Sequence, residues 1–294
     1  MNHIPEIIFN NQWYVLYLAG IMIASAYVQR NGLIYPLLNK LTVFVPSKRL
    51  FVVATSAIAG ILPIAGRVSV SAGILDTIAP KDDRRKHYGI LDYLSTHHYY
   101  LWSPIEKSVI IPMAVLGLSY AEFMQLMWPL TVIAIVVPFV LIFTLLKEDD
   151  VIVQTQKRAF ANVEWINWQL LVAVALIIIL GNIARDHTDK IRGYLVFNEW
   201  SIISGAWIGF AASFLLGSSS RFAAFTAILA SIYGVEYLPL FFAVDYTGYM
   251  LSPTHKCFAI GKMYFNTSLV TYYTHIILLC SFIMATAFIL VTFR

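Results

Sequence analysis

Uninterrupted apolar runs occur along this chain at 11–29, 123–146, 165–183 and 269–293. Each is long enough to cross a hydrocarbon layer of ~30 Å as a helix. Between them lie apolar stretches with polar breaks. The stretch 50–80 is interrupted by Pro63, Gly66, Arg67, Ser69, Ser71 and Gly73, and the stretch 200–230 by Gly217, Ser218, Ser219, Ser220 and Arg221. A simple crossing helix gains nothing from such a break, because hydrocarbon cannot satisfy the freed backbone groups; protein or a water-filled cavity can. The pattern therefore predicts two re-entrant helical hairpins. Two further stretches, 92–118 and 245–266, are broken at Ser103-Pro104 and Ser252-Pro253. Proline lacks the backbone donor and clashes with the preceding turn, so these read as broken crossing helices. The fold class expected is an all-α polytopic membrane protein.

Composition agrees: 59% of the residues are hydrophobic and 12% charged, with a mean hydropathy of +0.73. Too few residues lie outside the apolar runs to build a soluble catalytic domain. The net charge of +4 comes from basic residues between spans, which makes them topology determinants and excludes nucleic acid as the main partner. Cys257 and Cys280 have no disulfide, zinc or haem spacing, and no cofactor is expected. Ala24-Ser25-Ala26 imitates a signal-peptidase site, yet the first twelve residues carry Glu6 and no Lys or Arg, so the first helix is expected to be retained. Arg30, Lys40, Lys48 and Arg49, then Lys81 to Lys86, then Lys147, Lys157 and Arg158 fall on one face if 50–80 is a hairpin. The positive-inside rule makes that face cytoplasmic. The loop 185–199 and both termini are then external.

The segment Tyr100 to Lys107 and the segment Tyr249 to Lys256 share the pattern Y-x-x-S-P-x-x-K at an offset of 149 residues. The same offset carries Ser69 and Ser71 onto Ser218 and Ser220, and brings the flanking apolar runs near one another. Each half, 1–150 and 151–294, then reads as helix, re-entrant hairpin, broken helix and helix. Three crossings per half invert the second relative to the first, which is an architecture of secondary transporters.

Charged groups at mid-bilayer cost roughly 2.5–3.5 kcal/mol each on insertion scales and need a reason. Arg67 and Arg221 adjoin the hairpin breaks. They either face an anionic substrate, helped by helix N-termini, or pair with a carboxylate such as Asp76 or Asp245. Ser69, Ser71, Ser218, Ser219 and Ser220 offer hydroxyls to a substrate or a sodium ion, or merely permit close packing. At the Ser-Pro breaks, Ser103, Ser252, Thr254 and His255 complete the candidate substrate site, His255 as a proton-coupling group or a structural one. Glu106 and Lys107 form an internal pair or a functional one. His97 and His98 point about 100° apart on a helix, so one metal does not suit both, and they are expected near the cytoplasmic interface. Gly205-x-x-x-Gly209 is a helix-packing signal. Trp102, Trp128, Trp165, Trp168 and Trp200 read as an interfacial belt.

The segment from Leu62 to Gly66 with Ser69 to Ala72, the stretch from Asp92 to Lys107, and GYMLSPTHKC at 248–257 followed by Tyr264-Phe265 resemble the DUF401 family of integral membrane proteins. That family is in turn similar to gluconate and other anion permeases of the ion-transporter superfamily. The resemblance implies a permease-like fold in which hairpin tips and broken helices bind substrate, in a bacterial or archaeal inner (cell) membrane. The chain reads as a shortened member, with Ala65-Gly66-Arg67 where a Gly-Gly is expected and Ser95 to His98 where an aromatic-Arg-His stretch is expected.

Three functions are open. The first is a secondary transporter for a small anionic solute, coupled to sodium or protons. The second is a non-transporting subunit or scaffold, with a second copy or other membrane-complex subunits as partners. An intramembrane enzyme built on Asp92, His97, His98 and Glu106 ranks last, since no HExxH or GxSxG spacing supports it. The serines and arginines in matching places of the two halves favour transport.

Overall fold

A computed structural model describes residues 4–33, 47–61, 67–146, 168–187 and 200–293, together with positions 36, 40, 45, 166 and 190. Among them there are twelve α-helices and no strand. In chain order these are α1 (Ile4–Arg30), α2 (Lys48–Ile61), α3 (Arg67–Ile78), α4 (Arg85–Thr96), α5 (Lys107–Leu116), α6 (Tyr120–Leu145), α7 (Trp168–Asp186), α8 (Trp200–Leu216), α9 (Ser219–Tyr233), α10 (Leu238–Leu251), α11 (Lys256–Phe265) and α12 (Leu269–Thr292). The interrupted stretches are thus α2 with α3 and α8 with α9; the broken helices are α4 with α5 and α10 with α11.

Helices α6 and α12 are long and apolar enough to cross a membrane, and they suggest a membrane protein. Their exposed faces are apolar. Helix α6 turns Ile135, Val136, Phe139, Val140 and Phe143 outward, and α12 Ile277, Leu278, Phe282, Phe288 and Ile289. A core helix of a soluble domain would bury such side chains. Helix α7 repeats the feature with exposed Trp168, Val172, Leu176 and Leu180, spaced by four residues on one stripe. Trp128 and Trp168 are exposed, whereas Trp102 is half-buried and donates its Nε1–H to His98 Nδ1 at 2.8 Å. The side chains of Trp165 and Trp200 lie outside the described residues, as do the loops around Lys157 and Asp189.

In a bilayer apolar burial does little to drive helices together, so close backbone approach through small residues matters more. Helix α2 packs on α4, and α8 on α10. A Cβ on Gly60 would stand 2.6 Å from the Thr96 carbonyl oxygen, and one on Gly209 would stand 2.1 Å from Asp245 Oδ1. On the facing helix, a Cβ on Gly248 would meet the Phe210 carbonyl oxygen at 2.5 Å. The Gly205/Gly209 spacing is thus a packing face, as read from sequence.

Capping follows the pattern of the breaks. Helices α5 and α11 both end on a left-handed residue, Gly117 with φ 69° and Asn266 with φ 52°, a conformation open to Gly and tolerated by Asn. Ser119 and Ser268 then cap α6 and α12, accepting from the backbone N–H of Glu122 and Thr271. In the exposed turn before α4, the Arg84 side chain donates to Asp82 and holds that carboxyl below its ordinary range. Arg85 pairs with Asp76 and donates from Nε to the Tyr264 carbonyl at 3.0 Å, tying the turn to α11.

Candidate functional site

The two Ser-Pro breaks meet. Tyr100 and Tyr249, which occupy the same place in the repeated motif 149 residues apart, share a hydroxyl–hydroxyl hydrogen bond of 2.8 Å. Beside them, His97 Nε2 and His255 Nε2 are 3.3 Å apart. Both histidines are buried. The chain turns here because proline forbids helix continuation: Ser103 and Ser252 are buried, Pro104 and Pro253 are exposed, and new helices begin at Lys107 and Lys256.

The start of α3 leans on the first Ser-Pro break, and Gly217, before α9, on the second. In the first half, Arg67 opens α3 and its Nη2 donates to Glu106 Oε2 at 2.8 Å, while Nη1 donates to the Gly60 carbonyl at 3.1 Å. The guanidinium carbon lies 3.8 Å from the centre of the Tyr99 ring, within cation–π range. In the second half, Gly217 has φ 52°, and a Cβ there would stand 2.3 Å from Thr254 Oγ1 and 2.9 Å from Ser252 Oγ. Ser252 and Thr254 hydroxyls bond each other at 2.8 Å.

The partner of Arg67 is therefore Glu106, and neither Asp76 nor Asp245 takes that place. Asp76 is held by Arg85, and Asp245 accepts from Thr226 at 2.7 Å. Glu106 correspondingly turns its Oε2 to Arg67 instead of forming a pair within its own segment with Lys107, and its Oε1 is buried with no hydrogen-bond partner among the described residues. His97 and His98 are both buried, with α2 packed over the turn that carries them. They do point apart: His98 turns to Trp102 and His97 to His255.

The Ser71 hydroxyl donates to the Val68 carbonyl at 3.1 Å and also faces the Asp92 carboxylate, and Ser69 is half-buried in α3. Both lie past the break, since α3 already begins at Arg67. Ser218 is the residue before α9, and its side chain does not cap that helix. Ser219, Ser220 and Arg221 form the first turn of α9, and their side chains lie outside the described residues. Two residues outside the sequence-derived candidate site also line the meeting point. Tyr93 donates to the Met250 carbonyl at 2.8 Å and stands 2.8 Å from His255 Nδ1, while Cys257 lies in the first turn of α11 beside His97 and His255; Asp92 turns to α2, accepting from Ser56 at 2.7 Å. The sequence signal for Cys257 was its position two residues after His255 in the second break.

The family model described as protein of unknown function (DUF401) matches residues 10–185. The chain belongs to the DUF401 family. The match runs from within α1 to the last turn of α7, so it includes α2 and α3, the first Ser-Pro break and the Arg67–Glu106 pair. No curated protein and no solved structure matches this DUF401 chain.

Proposed function

We propose that this chain is a multi-pass secondary transporter for a small anionic solute, driven by a sodium or proton gradient, in a bacterial or archaeal inner membrane. One observation carries the reading: helices α3, α5, α9 and α11 begin at the central breaks, and each has a basic residue in its first turn. These are Arg67, Lys107, Arg221 and Lys256. The N-terminal end of a helix carries partial positive charge, so a cation there is unfavourable by about 0.3–1 kcal/mol unless an anion is present; Glu106 supplies one at the starts of α3 and α5, whereas the first turns of α9 and α11 hold no acidic residue. Helices α5, α9 and α11 also lack a side-chain cap at that end, which leaves their first N–H groups for a ligand. By contrast, the starts of α6 and α12, away from the breaks, are capped by serine.

The architecture we infer is an inverted repeat, 1–150 and 151–294. A two-fold relation requires that if one residue touches another, their equivalents touch in return. Tyr93 packs against Tyr272, and Phe242 packs against Phe123; these are reciprocal contacts at the spacing that separates Tyr100 from Tyr249. Tyr120 and Tyr273 donate to the Trp102 and Leu251 carbonyls just before the two Ser-Pro breaks. Helix α5 packs on α9, and α11 on α3. This supports a substrate site between the halves, as in transporters with discontinuous helices.

The Arg67–Glu106 pair favours a second reading, in which the arginine is a structural tie and the chain is a non-transporting subunit of a membrane complex. Reconstitution separates the two. Purified protein in liposomes, given a panel of carboxylates, oxyanions and sulfonates under imposed sodium and proton gradients, is expected to accumulate at least one anion. Arg221→Gln is expected to slow that uptake by tenfold or more in folded protein. If no solute moves and the substitution instead releases a co-purifying protein, the subunit reading stands.

A further inference from the structure

We propose that His97, His255 and Cys257 bind a thiophilic monovalent transition-metal ion of the Cu+ class at the junction of the two Ser-Pro breaks. Their donor atoms lie within 4.8 Å of one another. Two imidazole nitrogens on one ion at about 2.0–2.1 Å stand roughly 3.3–3.6 Å apart in tetrahedral or trigonal geometry, and the two Nε2 atoms are 3.3 Å apart. The thiol needs to close by about 1 Å to reach bonding distance, a movement open to a half-buried side chain in the first turn of α11.

The surrounding hydrogen bonds fix what faces what. His97 Nδ1 lies 2.5 Å from the Tyr93 carbonyl oxygen, which only accepts, so Nδ1 carries the proton. The Tyr93 hydroxyl gives its proton to the Met250 carbonyl. His255 Nδ1, against the Tyr93 hydroxyl oxygen at 2.8 Å and the Tyr249 carbonyl at 3.2 Å, is then also a donor. Both Nε2 atoms therefore turn lone pairs toward each other. Two lone pairs at that distance repel unless a proton or a metal ion lies between them. An Nδ1–H held by a backbone carbonyl is also the usual support of a metal-ligating histidine.

Charge selects the ion. Two neutral imidazoles, one thiolate and a monovalent ion sum to zero, whereas a divalent ion leaves a positive charge in an aromatic shell of Tyr93, Tyr249 and Phe258, where the Arg67 charge is already balanced by Glu106. A net charge is costly in such surroundings. Imidazole and thiolate together suit Cu+. Binding deprotonates the thiol and releases one proton per ion. The proposal does not depend on transport, since a static site and a coupled one would use the same ligands.

Full-length protein in nanodiscs is dialysed anaerobically against buffered Cu+ and, separately, against Zn2+. The expected result is one copper per chain, with X-ray absorption showing one sulfur and two imidazoles. Cys257→Ser, a one-atom change, is expected to keep the elution profile and melting temperature, lose the sulfur signal and weaken retention at least 100-fold. His255→Gln is expected to weaken it likewise where it folds; where it does not, Cys257→Ser decides. Monodisperse wild-type protein that retains no copper, or Cys257→Ser protein that binds as the wild type does, overturns the site. Stoichiometric Zn2+ retention in preference to Cu+ overturns the assignment of a monovalent ion.

Discussion

Arg67 sits at the start of α3 with its side chain 16% exposed, against a Glu106 side chain 5% exposed. A buried ion pair contributes little net stability against apolar residues of similar shape, but removing one partner strands the other charge, typically at a cost of about 3–5 kcal/mol. Glu106→Ala is therefore expected to lower stability by about 3 kcal/mol, read by denaturation in mixed micelles. The double variant Arg67→Met/Glu106→Leu should recover most of that loss. Equal destabilisation by the single and double variants would mean that the pair is not a unit. The same double variant informs function: a purely structural tie leaves anion uptake standing, and a substrate-facing arginine does not.

Among the elements, glycine contacts decide how closely α2 and α8 seat on α4 and α10. Gly248→Ala sets a Cβ against the backbone of α8, at 2.5 Å from the Phe210 carbonyl oxygen, and backbone cannot turn aside as a flexible side chain can. Forced overpacking of this kind costs about 1–3 kcal/mol. Gly20→Ala is the control, since nothing lies within 4 Å of a Cβ there and a helix interior prefers Ala by up to about 1 kcal/mol. Thermal unfolding in detergent should separate the two, with Gly248→Ala melting lower and Gly20→Ala at or above the parent; equal melting temperatures would remove the tight α8–α10 contact from the account. At this scale much was legible beforehand. Pro104 and Pro253 announced the breaks because a missing backbone donor is a local property, and Gly217 announced the interruption between α8 and α9. The partners were not legible. Arg67 meets Glu106 across 39 positions and His97 meets His255 across 158, so each pairing is made by helix packing that no local pattern encodes. Ser69 and Ser71 were misplaced into the break for a related reason: small polar residues are compatible with either a break or a tightly packed helix, and only the described start of α3 at Arg67 distinguishes them.

For the whole molecule the inverted repeat proposed above makes a claim about sidedness that the reciprocal contacts alone do not test. In that proposal the turn before α4 and the turn before α10 occupy equivalent places. Each follows a pair of helices at an interrupted apolar stretch and precedes a broken helix, and both present exposed residues, Asp83 in the first and Glu236 in the second. If both hairpins return to the face they entered from and each half crosses three times, these two turns lie on opposite faces of the membrane. Their charges agree: the first turn is followed by Arg84, Arg85 and Lys86, and the second, from Gly234 to Tyr237, has Glu236 and no basic residue. The positive-inside rule then puts Asp83 in the cytoplasm and Glu236 outside. A single cysteine at position 236, in a background with Cys257 and Cys280 replaced by Ser and Ala, should react with a membrane-impermeant maleimide added to intact cells. A cysteine at position 83 should react only after the membrane is opened. Labelling of both from the outside, or of neither, would mean that the second half is not inverted, and the Tyr100–Tyr249 hydrogen bond would then be a contact between similar segments and not a two-fold one.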